Sequence, residues 1–255
     1  MAKRAGRTAI TSAWLEDVRW VDGWDVIQGA AEPSYPGIWV ADPSATRLLL
    51  TNRYASLLSD EENTRADRFY QRAHAVRFKT AHILLRLLLA QLTATDPAVI
   101  RFEKGYHQKP TLASPRASAE FNLSYTENRL MIGLDRQPLG VDIEWLSRPL
   151  DIDDMVKACF SDKEADFITA RDEGMLRRFF TLWTRKEAIL KLTGEGIGAH
   201  LTAFEVLDGT CHTDKACIGI GPPDHIYLYS FAIGTDFIGC VATPAPVEPF
   251  SFYQL

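Results

Sequence analysis

The sequence reads SDEE at residues 59–62 and SDKE at residues 161–164. In each, a serine stands three residues before a glutamate. The serine side chain can cap the third N–H of a helix while the glutamate reaches back to the serine N–H. Each capping box opens a helix, and each is followed by a longer apolar-periodic stretch. The first runs from about Ala75 to Leu92 and stops before Asp96-Pro97. The second, RRFFTLWTRKEAILKLTG, ends at Gly194. A strand pattern precedes each unit (GIWVAD, GVDIEW) and another closes it (RLMIGL, FIGCVA). The order strand, capped helix, long helix, strand therefore occurs twice, at a period of about a hundred residues. Identity between the halves is weak, yet the repeated order predicts an α+β pseudo-dimer with a cleft between two similar lobes. The expected bounds are 35–138 and 139–255, and residues 1–34 read as an extension packed on the body. Clefts at such junctions are favoured ligand sites.

Composition narrows the function without naming it. A formal net charge of −5 argues against general affinity for nucleic acid, but leaves room for a local basic pocket taking a phosphorylated small molecule. The cysteines (Cys159, Cys211, Cys217, Cys240) form no CxxC pair and read as buried free thiols. Cys211-His212 lacks the companions of a zinc site, and the six histidines show no pairing, so all are assigned to structure. The opening MAKRAGRTAITSAW lacks an apolar core, and the apolar run Ile83 to Ala90 is short and carries Arg86, so a cytoplasmic protein is expected. EKGYHQKPTLASP reads as a surface loop. FNLSYTENRLMIGLD reads as two strands about a turn at Glu127-Asn128, and HIYLYSFAIG and FIGCVATP read as strands.

The chemistry gathers at GVDIEW. On a strand, Asp142 and Glu144 point to one face, where two like charges repel unless a cation lies between them. On the second long helix, Phe179, Phe180, Glu187 and Leu190 fall within about 60° of Trp183, Lys191 within about 80°, and Lys186 borders the arc on its other side. Glu187 thus shares an apolar face, where a lone carboxylate is costly. Taken singly, these residues also suit a solvated strand face and an ordinary i,i+4 Glu187–Lys191 pair. Taken together, three carboxylates and two lysines suit Mg²⁺ shared with a phosphate-bearing ligand.

At this point the motifs resemble a family. GVDIE followed some forty residues later by WTRKEAILK is similar to the paired signature of the Sfp-type 4′-phosphopantetheinyl transferases. RFYQRAHAVRF, QKPTL, FNLSYT, CFSDKEADF and FIGCVATP also resemble family segments, so the likeness runs from about Gly37 to near Pro246. The resemblance implies transfer of the phosphopantetheine arm of coenzyme A to a serine of an acyl or peptidyl carrier protein, releasing adenosine 3′,5′-bisphosphate, by a monomer. It implies that Asp142, Glu144 and Glu187 hold Mg²⁺, that Glu187 takes the serine proton, and that Lys191, with Lys186 beside it, stabilises the leaving phosphate. Lys109, Arg77 and Ser124 would hold the nucleotide and its 3′-phosphate. Two residues depart from the pattern. Tyr125 stands where the family has histidine, and a phenol cannot become a cation near neutral pH. Gln108 stands where the family has glycine. A metal-dependent nuclease and a non-catalytic carrier-protein or coenzyme A binding module are the competing readings.

Overall fold

A computed structural model describes residues 6–105, 109–115, 118–170, 173–196, 200–219, 221–247 and 249–255. Gln108 and His107 lie outside the described residues. The chain begins with strands β1 (Arg7–Trp14) and β2 (Trp20–Asp22) and one helical turn, α1 (Trp24–Ile27). The first half continues through β3 (Gly37–Ala41), α2 (Pro43–Tyr54), α3 (Asp60–Asp67) and α4 (Arg72–Thr93). It closes with β4 (Arg101–Lys104), β5 (Pro110–Ser114), β6 (Glu120–Thr126) and β7 (Arg129–Asp135). The second half runs through β8 (Gly140–Trp145), α5 (Ile152–Cys159), α6 (Asp162–Ile168) and α7 (Met175–Thr193). It ends with β9 (Gly209–Asp214), β10 (His225–Ile233), β11 (Phe237–Thr243) and β12 (Ser251–Gln254).

Both capping boxes form, Ser59 with Glu62 and Ser161 with Glu164, and open α3 and α6. The long helices follow, and α7 ends at Gly194 in the left-handed conformation, φ 76°. Two helices were not read from the sequence. Asp42 caps α2 through Ser44 N and Ala45 N ahead of Pro43, and Asp151 caps α5 through Asp154 N. The stretch expected to be a surface loop instead carries the antiparallel pair β4–β5.

The longer strands form two five-stranded sheets, the first of order β2-β12-β3-β7-β6 and the second of order β8-β11-β10-β1-β9. The repeat is visible in both. The strand closing each unit, β7 or β11, lies between the strand that opens it and its own hairpin partner. Each long helix covers the outer face of its sheet. Leu84 and Leu88 of α4 pack in one cluster with Trp39, Leu130 and Ile132, while Phe179 and Ile189 of α7 pack in another with Leu228, Ile238 and Cys240. The inner faces meet in a third cluster, where Ile38, Val40 and Met131 join Val141, Ile143, Phe231 and Val241. Strands covered on both faces are apolar throughout, which is why β3 and β11 read as continuous hydrophobic runs.

The termini cross between the lobes. β1 is an interior strand of the second sheet, parallel to β10 and antiparallel to β9, and β12 pairs with β2 and β3 in the first. The described part of the N-terminal segment is therefore no appendage: Arg7–Trp14 and Trp20–Asp22 supply a strand to each sheet. The lobe bounds drawn from the sequence cut through both exchanges.

The lobes also share a buried ion pair. The carboxylate of each capping-box glutamate reaches a cation on its long helix, Glu62 to Arg86 at 2.8 Å and Glu164 to Lys186 at 2.8 Å. Both cations then donate to loop carbonyls. Arg86 reaches Ile100 O, while Lys186 reaches Leu201 O and Phe204 O. Arg86, the one charge in the apolar run Ile83 to Ala90, is a core residue.

Candidate active site

β6 and β8 are edge strands of different sheets, and they meet where the lobes join. In place of a backbone ladder, β6 offers β8 its side chains. Val141 N donates to Asn122 Oδ1 at 2.9 Å, Ile143 N to Ser124 Oγ at 3.3 Å, and Thr126 Oγ1 donates to Glu144 Oε2 at 3.3 Å. Alternation along β6 makes this possible, since residues 122, 124 and 126 share one side while Phe121 and Leu123 pack with the first core.

Opposite β8 runs α7. A Cβ on Gly140 would stand 2.1 Å from Ala188 O and 2.4 Å from Leu192 N, so only glycine lets the helix backbone come this near. That approach brings Glu187 and Lys191 to the buried carboxylates of β8. Lys191 Nζ donates to Asp142 Oδ1 at 2.7 Å and to Ser124 Oγ at 2.8 Å, and Ser124 Oγ donates to Asp142 Oδ1 at 2.7 Å.

The carboxylates differ in how well they are satisfied. Glu144 receives Arg148 Nη1 on both oxygens, at 3.1 and 3.2 Å, and Trp183 Nε1 on Oε1 at 3.2 Å. Asp142 Oδ2 and Glu187 Oε1 are buried with no hydrogen-bond partner. Burial chiefly, then the charge of Asp142, push Glu187 up to about 7, with Lys191 opposing and Glu144 adding to the rise. Burial and Asp142 also raise Glu144, against the pull of Arg148 and Trp183. Buried polar atoms without partners are rare, and here two of them are carboxylate oxygens of one cluster. Among the described residues no group of three or more His, Cys, Asp or Glu is gathered as a metal cage. The two orphan oxygens fit a cation, whereas Glu144 is already engaged.

Ser124, Asp142, Glu144, Glu187 and Lys191 thus come together. Tyr125 points to the other side of β6, half-exposed, with the Arg77 guanidinium 4.3 Å from its ring centre. Arg77 also donates to Glu127 O at 3.4 Å. These two line one cavity of about 280 Å³ with Phe78, Pro110 and Leu123. Lys109 lies at the end of α7, donating to Leu192 O at 3.2 Å, and burial lowers its pKa against the opposing charge of Glu120. Lys186 is not at the site. It is fully buried on another face of α7, bound to Glu164 and two carbonyls, and burial lowers its pKa against the pull of Glu164. Reading the sequence missed Asn122, Thr126 and Arg148. The polar alternation Asn122, Ser124, Thr126 carried a signal for the first two. Arg148 follows a turn after β8, where no periodicity points.

The model of the 4′-phosphopantetheinyl transferase superfamily matches residues 138–238, which hold β8, α7 and β11. The 4′-phosphopantetheinyl transferase HetI of Nostoc sp. is 33% identical over 156 residues, 60% of this chain and 65% of that protein. The transferase Sfp of Bacillus subtilis is 29% identical over 198 residues, 75% of this chain and 85% of that protein. A further 4′-phosphopantetheinyl transferase of Bacillus subtilis is 30% identical over 156 residues, 61% of this chain and 68% of that protein. With the carboxylate–lysine cluster lying inside the matched region, the chain belongs to the 4′-phosphopantetheinyl transferase superfamily.

Proposed function

We infer that the chain moves the 4′-phosphopantetheine arm of coenzyme A onto a serine hydroxyl of an acyl or peptidyl carrier protein, with Mg²⁺, as a cytoplasmic monomer, releasing adenosine 3′,5′-bisphosphate. One observation carries the reading: two buried carboxylate oxygens without partners, Asp142 Oδ2 and Glu187 Oε1, beside the Lys191 ammonium. Asp142 and Glu187 would hold the divalent ion, which when bound offsets the charge of a diphosphate and polarises the phosphorus under attack.

The remaining chemistry falls to the side chains. Glu187, with one oxygen that no protein donor occupies, is the carboxylate placed to take the serine proton, directly or through a bound water. The serine Oγ–P bond forms as the bond from that phosphorus to the nucleotide's 5′-phosphate oxygen breaks. Negative charge grows on the leaving oxygen, and Lys191 is the cation near enough to offset it. Arg77, Tyr125 and Lys109 are the candidates to hold the nucleotide, Arg77 and Tyr125 by stacking and charge, Lys109 as a point cation.

The deciding experiment is intact-protein mass spectrometry of an apo carrier protein incubated with this protein, coenzyme A and Mg²⁺. A gain of one phosphopantetheine arm, lost with EDTA and absent from a carrier whose serine is alanine, is the expected result. No gain across several carrier types, with coenzyme A still bound, would replace the transferase reading by that of a binding module.

A further inference from the structure

The cavity of about 280 Å³ beside Tyr125 is also lined by Arg65, His74 and His82 and, among the described residues, by no carboxylate. Its two arginines are steadied by rings, which leave their charge free. The Arg65 guanidinium lies 5.1 Å from the Phe78 ring centre, as that of Arg77 lies over Tyr125. His82 stacks on Phe78 with ring centres 4.0 Å apart, and its side chain is 22% exposed. Glu62 fixes the turn of the imidazole. Its Oε1 lies 2.7 Å from His82 Nδ1, while its Oε2 takes Ser59 N at 2.7 Å and Arg86 Nη2 at 2.8 Å. A carboxylate so bound only accepts, so Nδ1 carries a hydrogen and donates it. Nε2 is bonded to no described residue and is the nitrogen left for a ligand.

Two sites for negative groups thus lie on opposite sides of β6. Ser124 turns to Asp142 and Lys191, and Tyr125, next along the strand, turns to the cavity. Coenzyme A carries a diphosphate on the 5′ oxygen of its ribose and a monophosphate on the 3′ oxygen, a group for each site. Of the residues expected to hold the 3′-phosphate, Ser124 is bonded to Asp142 and Lys109 to Leu192 O, which leaves Arg77. We propose that His82, set by Glu62, donates from Nε2 to the 3′-phosphate beside Arg65 and Arg77, and so makes the chain prefer coenzyme A to its 3′-dephospho form. This rests on the coenzyme A reading above. Phosphate oxygens accept hydrogen bonds strongly, so the bound ring is an imidazolium that donates from both nitrogens to anions, the stronger class of hydrogen bond. Glu62 touches no ligand and is a positioning residue.

The test is isothermal titration of coenzyme A and of 3′-dephospho-coenzyme A into the full chain with Mg²⁺, read as the ratio of the two dissociation constants. A general loosening of the cavity weakens both ligands alike and leaves the ratio unmoved. The unaltered chain is expected to favour coenzyme A by more than about tenfold. His82→Asn keeps a donor to Glu62 in place of Nδ1 and deletes Nε2. It is expected to weaken coenzyme A by about tenfold, the worth of one hydrogen bond to a charged group, and the dephospho form by less than about twofold. His82→Phe keeps the stack on Phe78, should give the same loss, and serves if the asparagine variant misfolds. Glu62→Gln, which keeps an acceptor but not the charge, should lower the ratio by about threefold. An unchanged ratio in a folded His82 variant overturns the proposal, and so does a ratio near one in the unaltered chain. An equal loss for both ligands also overturns it, since His82 would then only shape the cavity. If the unaltered chain binds neither compound, the coenzyme A reading falls and the proposal with it.

Discussion

Glu187 has no protein donor for one oxygen, a near-neutral pKa and a lysine four residues on that is bound to Asp142 and not to it. A group so placed is free to accept a proton, so Glu187→Gln should lower kcat by about 10² to 10⁴, the usual worth of general acid–base catalysis. Because Glu187 would also hold the ion on the diphosphate, the KM for coenzyme A should rise too, but by less than kcat falls, and steady-state kinetics with a carrier protein separates the two. Lys109 should behave in the opposite sense. Lys109→Ala is expected to raise KM with kcat kept; an equal fall in kcat would mean that its bond to Leu192 O fixes α7 and does not hold the nucleotide. Asp142, Glu144, Glu187 and Lys191 were legible in the sequence because strand alternation and helical periodicity assign faces without tertiary knowledge. Lys186 was misread because it lies at the border of the same arc. Only Glu164, on a different helix, shows that it turns into the core.

Between elements, the paired ions of Glu62–Arg86 and Glu164–Lys186 tie each capped helix to its long helix and, through the cation, to a loop. Both partners of the second pair are fully buried, so Lys186→Met should cost about 3 to 5 kcal/mol by stranding Glu164. Adding Glu164→Gln should recover part of that loss in urea unfolding, since the amide oxygen can still accept from Val206 N while the amide nitrogen cannot replace the capping bond from Ser161 N. Glu62 gives a pH signature. Burial alone would raise its pKa, but bonds from His82 and Ser59 N and the charges of His82 and Arg86 bring it to about 2. The unfolded carboxyl titrates near 4.5, so the unfolded chain binds more protons between the two values. This stability, up to about 3 kcal/mol, is present above pH 4.5 and lost as pH falls toward 2, and Glu62→Gln should flatten that limb of the acid-unfolding curve. The capped helices were readable from local chemistry. The helices α2 and α5 also carried caps, at Asp42 and Asp151, but each lacks the reciprocal glutamate that marks a capping box.

At the scale of the whole molecule, the duplication predicts two lobes, and the structure adds that neither is whole within its own half of the sequence. β1 is flanked by β10 on one side and β9 on the other, with Ile10 almost fully buried, and among the described strands β9 joins the second sheet only through β1. Nothing local in RTAITSAW says which sheet it joins, because an alternating strand fits any open edge of matching pattern. The exchange has a consequence for folding. Residues 139–255 expressed alone should lack a cooperative urea transition, since the sheet loses an interior strand and β9 its only partner. A peptide spanning residues 6–16, supplied in excess, should restore the transition and the near-ultraviolet circular dichroism of the packed core. Residues 16–255 should fold with a melting temperature lower by about 10 °C or more, the shift that a loss of several kcal/mol gives at this size. Cooperative unfolding of 139–255 without the peptide would mean that the second lobe is self-sufficient and β1 only lies against it. The active site makes the expected result matter for function. β8 forms one edge of the sheet that β1 completes and carries Asp142 toward α7, so losing the strand at the N-terminus should also loosen the carboxylates on which transfer depends.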